Sequence, residues 1–172
     1  LSMLVRDNRE MLECLGNDPE LDEVFTYNDR TKTLFSGTDS VRNGLFDITF
    51  VVPKDINYSD ENGLITMFAY TSDGKITAHG ECDDFLVGGY TTQHNDSIGP
   101  SVYCYLNSPM FVNGGDVNST PFFVAEIRDA DGINASGAGI GHDMQLVIDN
   151  DANMTFNLNE NFTYNFGTYT EG

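Results

Sequence analysis

The chain has 172 residues, with 8 Lys or Arg against 27 Asp or Glu, so its formal net charge at pH 7 is −19. A surface this acidic repels phosphate backbones and anionic membranes, which argues against nucleic acid as a partner, although acidity also serves plain solubility. Hydrophobic residues make up 40% of the sequence, enough for a core in one large β domain or two small ones. No apolar run approaches the ~20 residues of a membrane-spanning helix, and no secretory signal peptide is evident.

Short runs typical of β-strands alternate with turn residues through the first half of the chain. The clearest strand prediction is 45–52, because every second residue there is apolar: Phe46, Ile48, Phe50 and Val52. Pro53 ends this strand, since it has no N–H to donate to a ladder. The segment 6–23 is polar, and we predict irregular structure there. The other strands predicted in this half are 1–5, 24–27, 33–35, 64–71, 75–78 and 83–87.

The second half begins after a polar stretch, 91–100, that ends in Gly-Pro and predicts a linker. The strand 101–106 places Val102, Cys104 and Leu106 on one face and two tyrosines on the other. Residues 161–169 are aromatic and polar without clear alternation. The other strands predicted in this half are 110–112, 121–128, 144–149 and 154–158.

The succession of short strands and turns, without a sustained 3.6-residue period, predicts an all-β fold of antiparallel sandwiches. We predict two immunoglobulin-like β-sandwich units, 1–90 and 101–172, joined by the linker 91–100. The second unit offers about five strands, whereas a sandwich of immunoglobulin type has ~7. We therefore expect it to be incomplete, with further strands lying beyond Gly172.

The longest predicted loop, 129–143, joins two of these strands and is rich in Gly, Asp and Asn. Such composition is ordinary turn chemistry, because Gly adopts positive φ and Asp and Asn bond their own backbone. Asp129, Asp131 and Asp143 flank the loop, with Asn134 and backbone carbonyls nearby, and oxygen ligands of this kind suit Ca²⁺. These three carboxylates are the metal-site candidates, although their spacing is not that of an EF-hand. No other cofactor is predicted.

His142 precedes a predicted strand at the end of this loop. A histidine can accept or donate at either ring nitrogen, and which nitrogen carries the proton depends on its partners. We predict that His142 fastens the loop by bonding backbone carbonyls, with Asp143 fixing its tautomer.

The three cysteines, Cys14, Cys82 and Cys104, are widely spaced and form no metal-binding pattern. Their odd number allows at most one internal disulfide, for which Cys82 with Cys104 is the pair to test; the alternative is that all three are small apolar side chains. His79 lies three residues before Cys82, and side chains three apart on a strand point to opposite faces. This spacing disfavours a catalytic dyad, and no hydrolase or nucleotide-binding motif is present.

Five short sequences, in this order along the chain, resemble the region downstream of the catalytic domain in PorU-type sortases. These are the gingipain-like cysteine peptidases of the type IX secretion system of Bacteroidetes. The similarity covers about residues 28–169, and it extends over most of the chain. The five sequences are VVPKDINY at 51–58, DDFLVGG at 83–89, Gly-Pro at 99–100, LNSPMFVNG at 106–114 and GIGHD at 139–143.

The resemblance implies that the parent enzyme removes C-terminal secretion signals from cargo at the extracellular face of the outer membrane and helps attach the cargo to surface lipopolysaccharide. Its catalytic Cys and His would belong to a caspase-like domain before Leu1, and no residue here matches that domain. The resemblance therefore gives this chain no catalytic residue, and Cys82 and Cys104 depart from the family pattern. Its expected partners are the upstream catalytic domain and the secretion-system outer-membrane proteins or cargo signal domains.

Two other functions are compatible with the sequence. One is a cell-surface adhesin that binds glycan or protein through the loop 129–143, with calcium, and the other is a plain structural spacer. An incomplete second sandwich would also expose a sheet edge, and exposed edges pair with added strands. We therefore predict a strand-exchanged dimer, which a compact monomer in solution scattering would contradict.

Overall fold

The computed structural model describes residues 1–16, 24–92, 97–137 and 142–172. Within these ranges the regular elements are antiparallel β-strands and two single-turn 3₁₀ helices, Ala152–Met154 and Asn159–Asn161. The predicted all-β class, consistent with a β-sandwich, is confirmed. No helix in the described ranges has the length and apolarity to cross a bilayer. The strands are β1 Ser2–Arg6, β2 Glu10–Glu13, β3 Thr26–Asp29, β4 Thr33–Thr38, β5 Glu61–Asn62, β6 Leu64–Tyr70, β7 Thr77–Cys82, β8 Leu86–Val87, β9 Ser101–Leu106, β10 Phe123–Arg128, β11 Gln145–Val147 and β12 Thr155–Asn157.

The largest sheet has the strand order β4-β1-β6-β7. Alternation along its central strand β1 sends Met3 and Val5 inward, where both are buried. Val5 lies opposite Phe35 on β4 and opposite Ile65 on β6, so three inward apolar side chains form a row across the sheet. This row forms one side of the hydrophobic core.

A second ladder joins β9 to β10, with Val102 opposite Ile127 and Leu106 opposite Phe123. The chain end adds to the other side of β10, because the Ile127 and Gly172 backbones exchange both N–H···O=C bonds, at 2.8 and 3.0 Å. Smaller two-stranded ladders join β2 to β3, β5 to β8 and β11 to β12.

Eight buried hydrophobic residues form one cluster in the described part of the chain. Phe35 stacks on Phe50 with ring centroids 4.8 Å apart and on Tyr164 with centroids 5.0 Å apart. The cluster takes residues from both predicted units, and the boundary between 1–90 and 101–172 stays a prediction. Its members are Met3, Val5, Leu34, Phe35, Ile56, Val87, Ile133 and Tyr164.

The polar segment 6–23 contains structure that the sequence did not predict. Asp7 and Asn8 are almost completely buried, at 0% and 1% exposure. The two carboxylate oxygens of Asp7 accept the backbone N–H groups of Asn57, at 2.6 Å, and of Asn8, at 2.8 Å. The Asn8 amide in turn donates to the Asn57 carbonyl at 2.9 Å. The prediction of irregular structure was therefore wrong for 10–13, which form β2, and it missed this polar junction; residues 17–23 lie outside the described part.

The predicted strand 45–52 was also wrong. Apart from one bridge between Arg42 and Leu45, the segment 45–52 joins no ladder in the described ranges. Ile48 and Phe50 pack against the core, but Phe46 and Val52 are exposed. The alternating pattern predicted correctly that Ile48 and Phe50 face inward. Such a pattern does not show whether another strand lies alongside to form a ladder, and a β-strand requires one.

Other strand predictions differ mainly in their ends. The prediction 101–106 is confirmed to the residue, and 64–71 and 121–128 are each slightly longer than β6 and β10. The predicted strand 110–112 is a turn, closed by the Phe111 N–H donating to the Ser108 carbonyl at 2.8 Å. The predicted strand 83–87 shortens to β8 because Asp83 and Asp84, poor strand formers, stay outside it.

Candidate functional site

The best-defined polar cluster of the described chain is centred on Asp55. One of its carboxylate oxygens accepts a hydrogen bond from the Asn134 side-chain amide at 2.8 Å and also contacts His142 Nδ1. The Asp55 side chain is 17% exposed, while that of His142 is 50% exposed. We call Asp55, Asn134 and His142 the loop clasp, because they tie both ends of the long loop to the segment after Pro53.

Core residues next to the clasp fix its position. Ile56, which follows Asp55, and Ile133, which precedes Asn134, are both buried members of the central cluster. Asp55 and Asn134 are thus each held by an apolar neighbour that burial keeps in place. The Asn134 carbonyl oxygen of the side chain also accepts the Ser136 N–H at 3.1 Å and its hydroxyl at 2.7 Å, which closes a local turn.

Asn159 forms a second tie on the loop. Its side-chain amide donates to the Ala135 carbonyl at 3.3 Å, and its side-chain oxygen accepts the Met144 N–H at 2.9 Å. Gly137 adopts a φ of 59°, and a Cβ there would lie 2.8 Å from Asn159 Cγ. Both the backbone conformation and the close approach therefore require glycine at this position.

The structure gives His142 a partner that the sequence did not predict, the Asp55 carboxylate. Its bonding to backbone carbonyls and to Asp143 stays a prediction. Asp55 lies 87 residues away in the sequence, so no local pattern could identify it. The resemblance motif 139–143 lies partly outside the described residues, which exclude 138–141.

The three calcium candidates do not come together as a set. Asp129 accepts the Asp131 N–H at 2.9 Å in a tight turn, while Asp143 contacts the Gln145 amide at 3.5 Å. In the described ranges, no group of three or more His, Cys, Asp or Glu side chains is arranged to hold a metal ion. Calcium binding stays a prediction.

The three cysteines are free thiols and solvent-exposed. Strand β7 places His79 opposite Phe68 and Cys82 opposite Ile65 on β6, so the two side chains lie on opposite faces of the sheet. The sequence predicted this separation. His79 and Cys82 could form a catalytic dyad only if strand β7 changed its conformation.

The buried side chain of Tyr164 holds the loop at Ile133. Its hydroxyl donates to the Ile133 carbonyl at 2.5 Å, and burial raises the pKa of Tyr164 to about 12. Burial disfavours the charged phenolate, so the fold favours the neutral form of Tyr164.

This shift predicts a specific loss of stability in alkali. The folded pKa of Tyr164 is above the ordinary tyrosine value of about 10, so its contribution is complete below pH 10 and is lost as pH rises toward 12. We expect the loss between these pH values to be smaller in Tyr164→Phe, by on the order of 1 kcal/mol after allowance for solvent screening. Urea unfolding at pH 9, 10 and 11 measures it, and parallel curves for the two proteins would contradict it.

The accessible surface of the chain is unusually large. It amounts to 12942 Å² for 19.0 kDa, whereas a compact monomer of this mass exposes about 8,400 Å². The exposed apolar side chains include Phe122, Tyr70 and Phe25, at 72%, 66% and 69%. Apolar area on this scale is typical of a surface that other protein covers.

Comparisons with known proteins bear on the identity of the chain. No known family profile matches the sequence. No curated protein matches it either. The crystal structure of dimeric latent PorU from Porphyromonas gingivalis superimposes with a TM-score of 0.52 and 32% sequence identity over 99% of this chain. The chain is similar to a segment of PorU. It spans 16% of the length of that PorU chain.

Proposed function

We propose that this chain is an accessory β-structured region of a PorU-type cysteine peptidase that removes C-terminal secretion signals at the extracellular face of the outer membrane. In this role the chain positions a catalytic domain that lies outside it, or binds secretion partners or the signal domains of cargo. Catalysis belongs to the absent caspase-like domain. The observation that carries the proposal is the 32% identity with PorU along 99% of this chain.

Two properties of the chain support an accessory role. Its surface exceeds that of a compact monomer by about 4,500 Å², so it has much area to offer to a neighbouring domain. The described residues near the ends of its loop are tied to the rest of the fold by the Asp55 clasp and by Asn159. Residues held in place on a β scaffold are a common arrangement for binding.

A replacement in the full-length protein tests this role against that of a spacer. Residues 1–172 are exchanged for an unrelated β-sandwich of similar length, and cleavage of cargo signals is followed in cells. We expect cargo to keep its signal, because the replacement lacks the surface that positions the catalytic domain or binds cargo. Restored cleavage would establish a spacer.

A calcium-dependent adhesin is the alternative, and the turn that brings Asp129 beside Asp131 is the feature that favours it. Ligand at 100 times its Kd would stabilise the fold by about 2.7 kcal/mol, so a clear rise in Tm with Ca²⁺ is expected for an adhesin. The accessory role predicts no rise. A thermal-shift titration distinguishes them, and Asp131→Ala would remove a calcium-dependent rise.

Self-association also belongs to the proposal. The similar PorU is a dimer, and the sequence predicted a strand-exchanged dimer for this chain. Solution scattering at several concentrations tests this prediction, and a compact monomer throughout would contradict it.

A further inference from the structure

Strand β9 has one unpaired edge within the described residues. It pairs with β10, whose other side is occupied by residues 170–172. The Asn107 N–H bonds the Phe122 carbonyl at 2.7 Å, and in an antiparallel ladder bonded pairs alternate with non-bonded ones. Odd-numbered residues of β9 therefore bond to β10. The backbone N–H and C=O groups that point to the open edge belong to Val102, Cys104 and Leu106.

This edge lacks the features that usually prevent strand addition. β9 has the sequence Ser-Val-Tyr-Cys-Tyr-Leu, without charge, glycine or proline, in a chain of which 20% is charged. The outer strand of the large sheet, β7, differs, because it contains Gly80 and Glu81 and ends beside two aspartates. Proteins protect free edges with such charges and irregularities, and leave unprotected those edges that pair.

The inward face of β9 is uncovered as well. Val102 shares a face with Ile127, which packs against the core, yet Val102 is 55% exposed. Cys104 lies on the same face and is also exposed. An apolar face turned toward the core side but open to water indicates that a layer of the sandwich continues past β9.

We propose that a strand of the same polypeptide, outside these 172 residues, pairs with the open edge of β9 and covers Val102 and Cys104. The choice of this occupant rests on the proposed function, in which the chain is part of a longer protein. It also rests on area, because the excess surface of about 4,500 Å² is several times the ~800 Å² that each partner buries in a standard interface. A strand of the same polypeptide is present at every protein concentration, whereas a second copy, as in the strand-exchanged dimer predicted for the isolated chain, pairs only as concentration rises.

The added strand has a defined chemistry. Its hydrogen bonds join its backbone to the backbones of Val102, Cys104 and Leu106, so these bonds do not restrict the amino-acid sequence of the added strand. Side chains beside Val102 and Cys104 must be apolar, because that face continues the core. On the other face the strand meets Tyr103 and Tyr105, whose rings lie 5.6 Å apart and accept polar or aromatic neighbours. An alternating strand is therefore expected.

Hydrogen exchange in the full-length, monomeric protein tests the proposal. A ladder with β10 alone protects the amides of Tyr103 and Tyr105, whereas an added strand also protects those of Val102, Cys104 and Leu106. We expect exchange at these three to be slowed by roughly a hundredfold or more, as in other stable ladders. Exchange there as fast as in an unpaired strand would overturn the proposal.

Strand β7 is the matched internal control. Thr71 and Ile76 bond at 2.9 Å, so alternation directs the amides of His79 and Glu81 away from β6. These amides should exchange quickly in the same sample. Protection at β9 that appears only as protein concentration rises would overturn the choice of occupant in favour of a second copy. The exchange experiment does not depend on signal cleavage. A failure of the proposed peptidase function would therefore be seen in a cleavage assay and would be distinct from a failure of the proposed strand pairing.

Discussion

Replacement of Phe35 by alanine is expected to lower the free energy of unfolding by about 3–5 kcal/mol, the range for deletion of a buried aromatic ring. Phe35 is 4% exposed and stacks between Phe50 and Tyr164. It also lies opposite the buried Val5 on the neighbouring strand β1, so its ring is part of the apolar row across the sheet. A Cβ at Gly37 would overlap the same ring, which shows how closely the backbone approaches it.

Urea unfolding of the 172-residue chain followed by circular dichroism measures this loss. Phe46→Ala is the control, because Phe46 is 47% exposed and should cost less than about 1 kcal/mol. Equal losses for the two variants would mean that the Phe35 cluster is not the centre of stability.

Replacement of Asp7 by alanine is the second large effect, with an expected loss of about 2–4 kcal/mol, since it leaves one buried and one partly buried N–H group without acceptors. The acceptor oxygens bond the N–H groups of Asn8 and Asn57 and so join β1 to the segment that carries Asp55. The same variant should loosen the loop clasp, because the backbone around Asn57 is two residues from Asp55.

Two measurements are needed for Asp7→Ala. Urea unfolding gives the loss of stability, and hydrogen exchange at Asn57 reports the freed amide. Asp7→Asn keeps one acceptor oxygen and should lose less. Asp73→Ala removes an exposed carboxylate that bonds Thr71 and Lys75, and it should change stability little. An Asp7→Ala protein as stable as Asp73→Ala would refute the junction.

Alternation in the sequence was sufficient to locate several strands and to predict an all-β fold. β9 was predicted to the residue because Pro100 precedes it and the turn Asn107-Ser-Pro109 follows it. The same alternation failed at 45–52, where inward side chains are present without a partner strand. A backbone ladder is a property of two segments, and a single segment cannot report it.

The loop clasp could not be predicted from the sequence for a related reason. His142 and Asp55 are 87 residues apart, and nothing in either neighbourhood marks them as partners. Asp7 and Asn8 read as ordinary surface residues, because burial of a polar side chain depends on distant backbone donors. The sequence did mark 129–143 as an unusual connection by its Gly, Asp and Asn content, and two clasp residues, Asn134 and His142, lie in it.

The central claim is that this chain supports a peptidase whose chemistry lies outside it. Its most direct test is signal cleavage by the full-length protein with Cys14 and Cys82 replaced by serine and Cys104 replaced by alanine. All three thiols are free in this chain, and alanine keeps position 104 apolar where the added strand covers it, so the fold should stay intact. We predict a cleavage rate within about twofold of the unsubstituted protein, as expected for substitutions away from the reacting groups. A loss of activity confined to these substitutions, or an unsubstituted full-length protein that cleaves no signal, would contradict the claim.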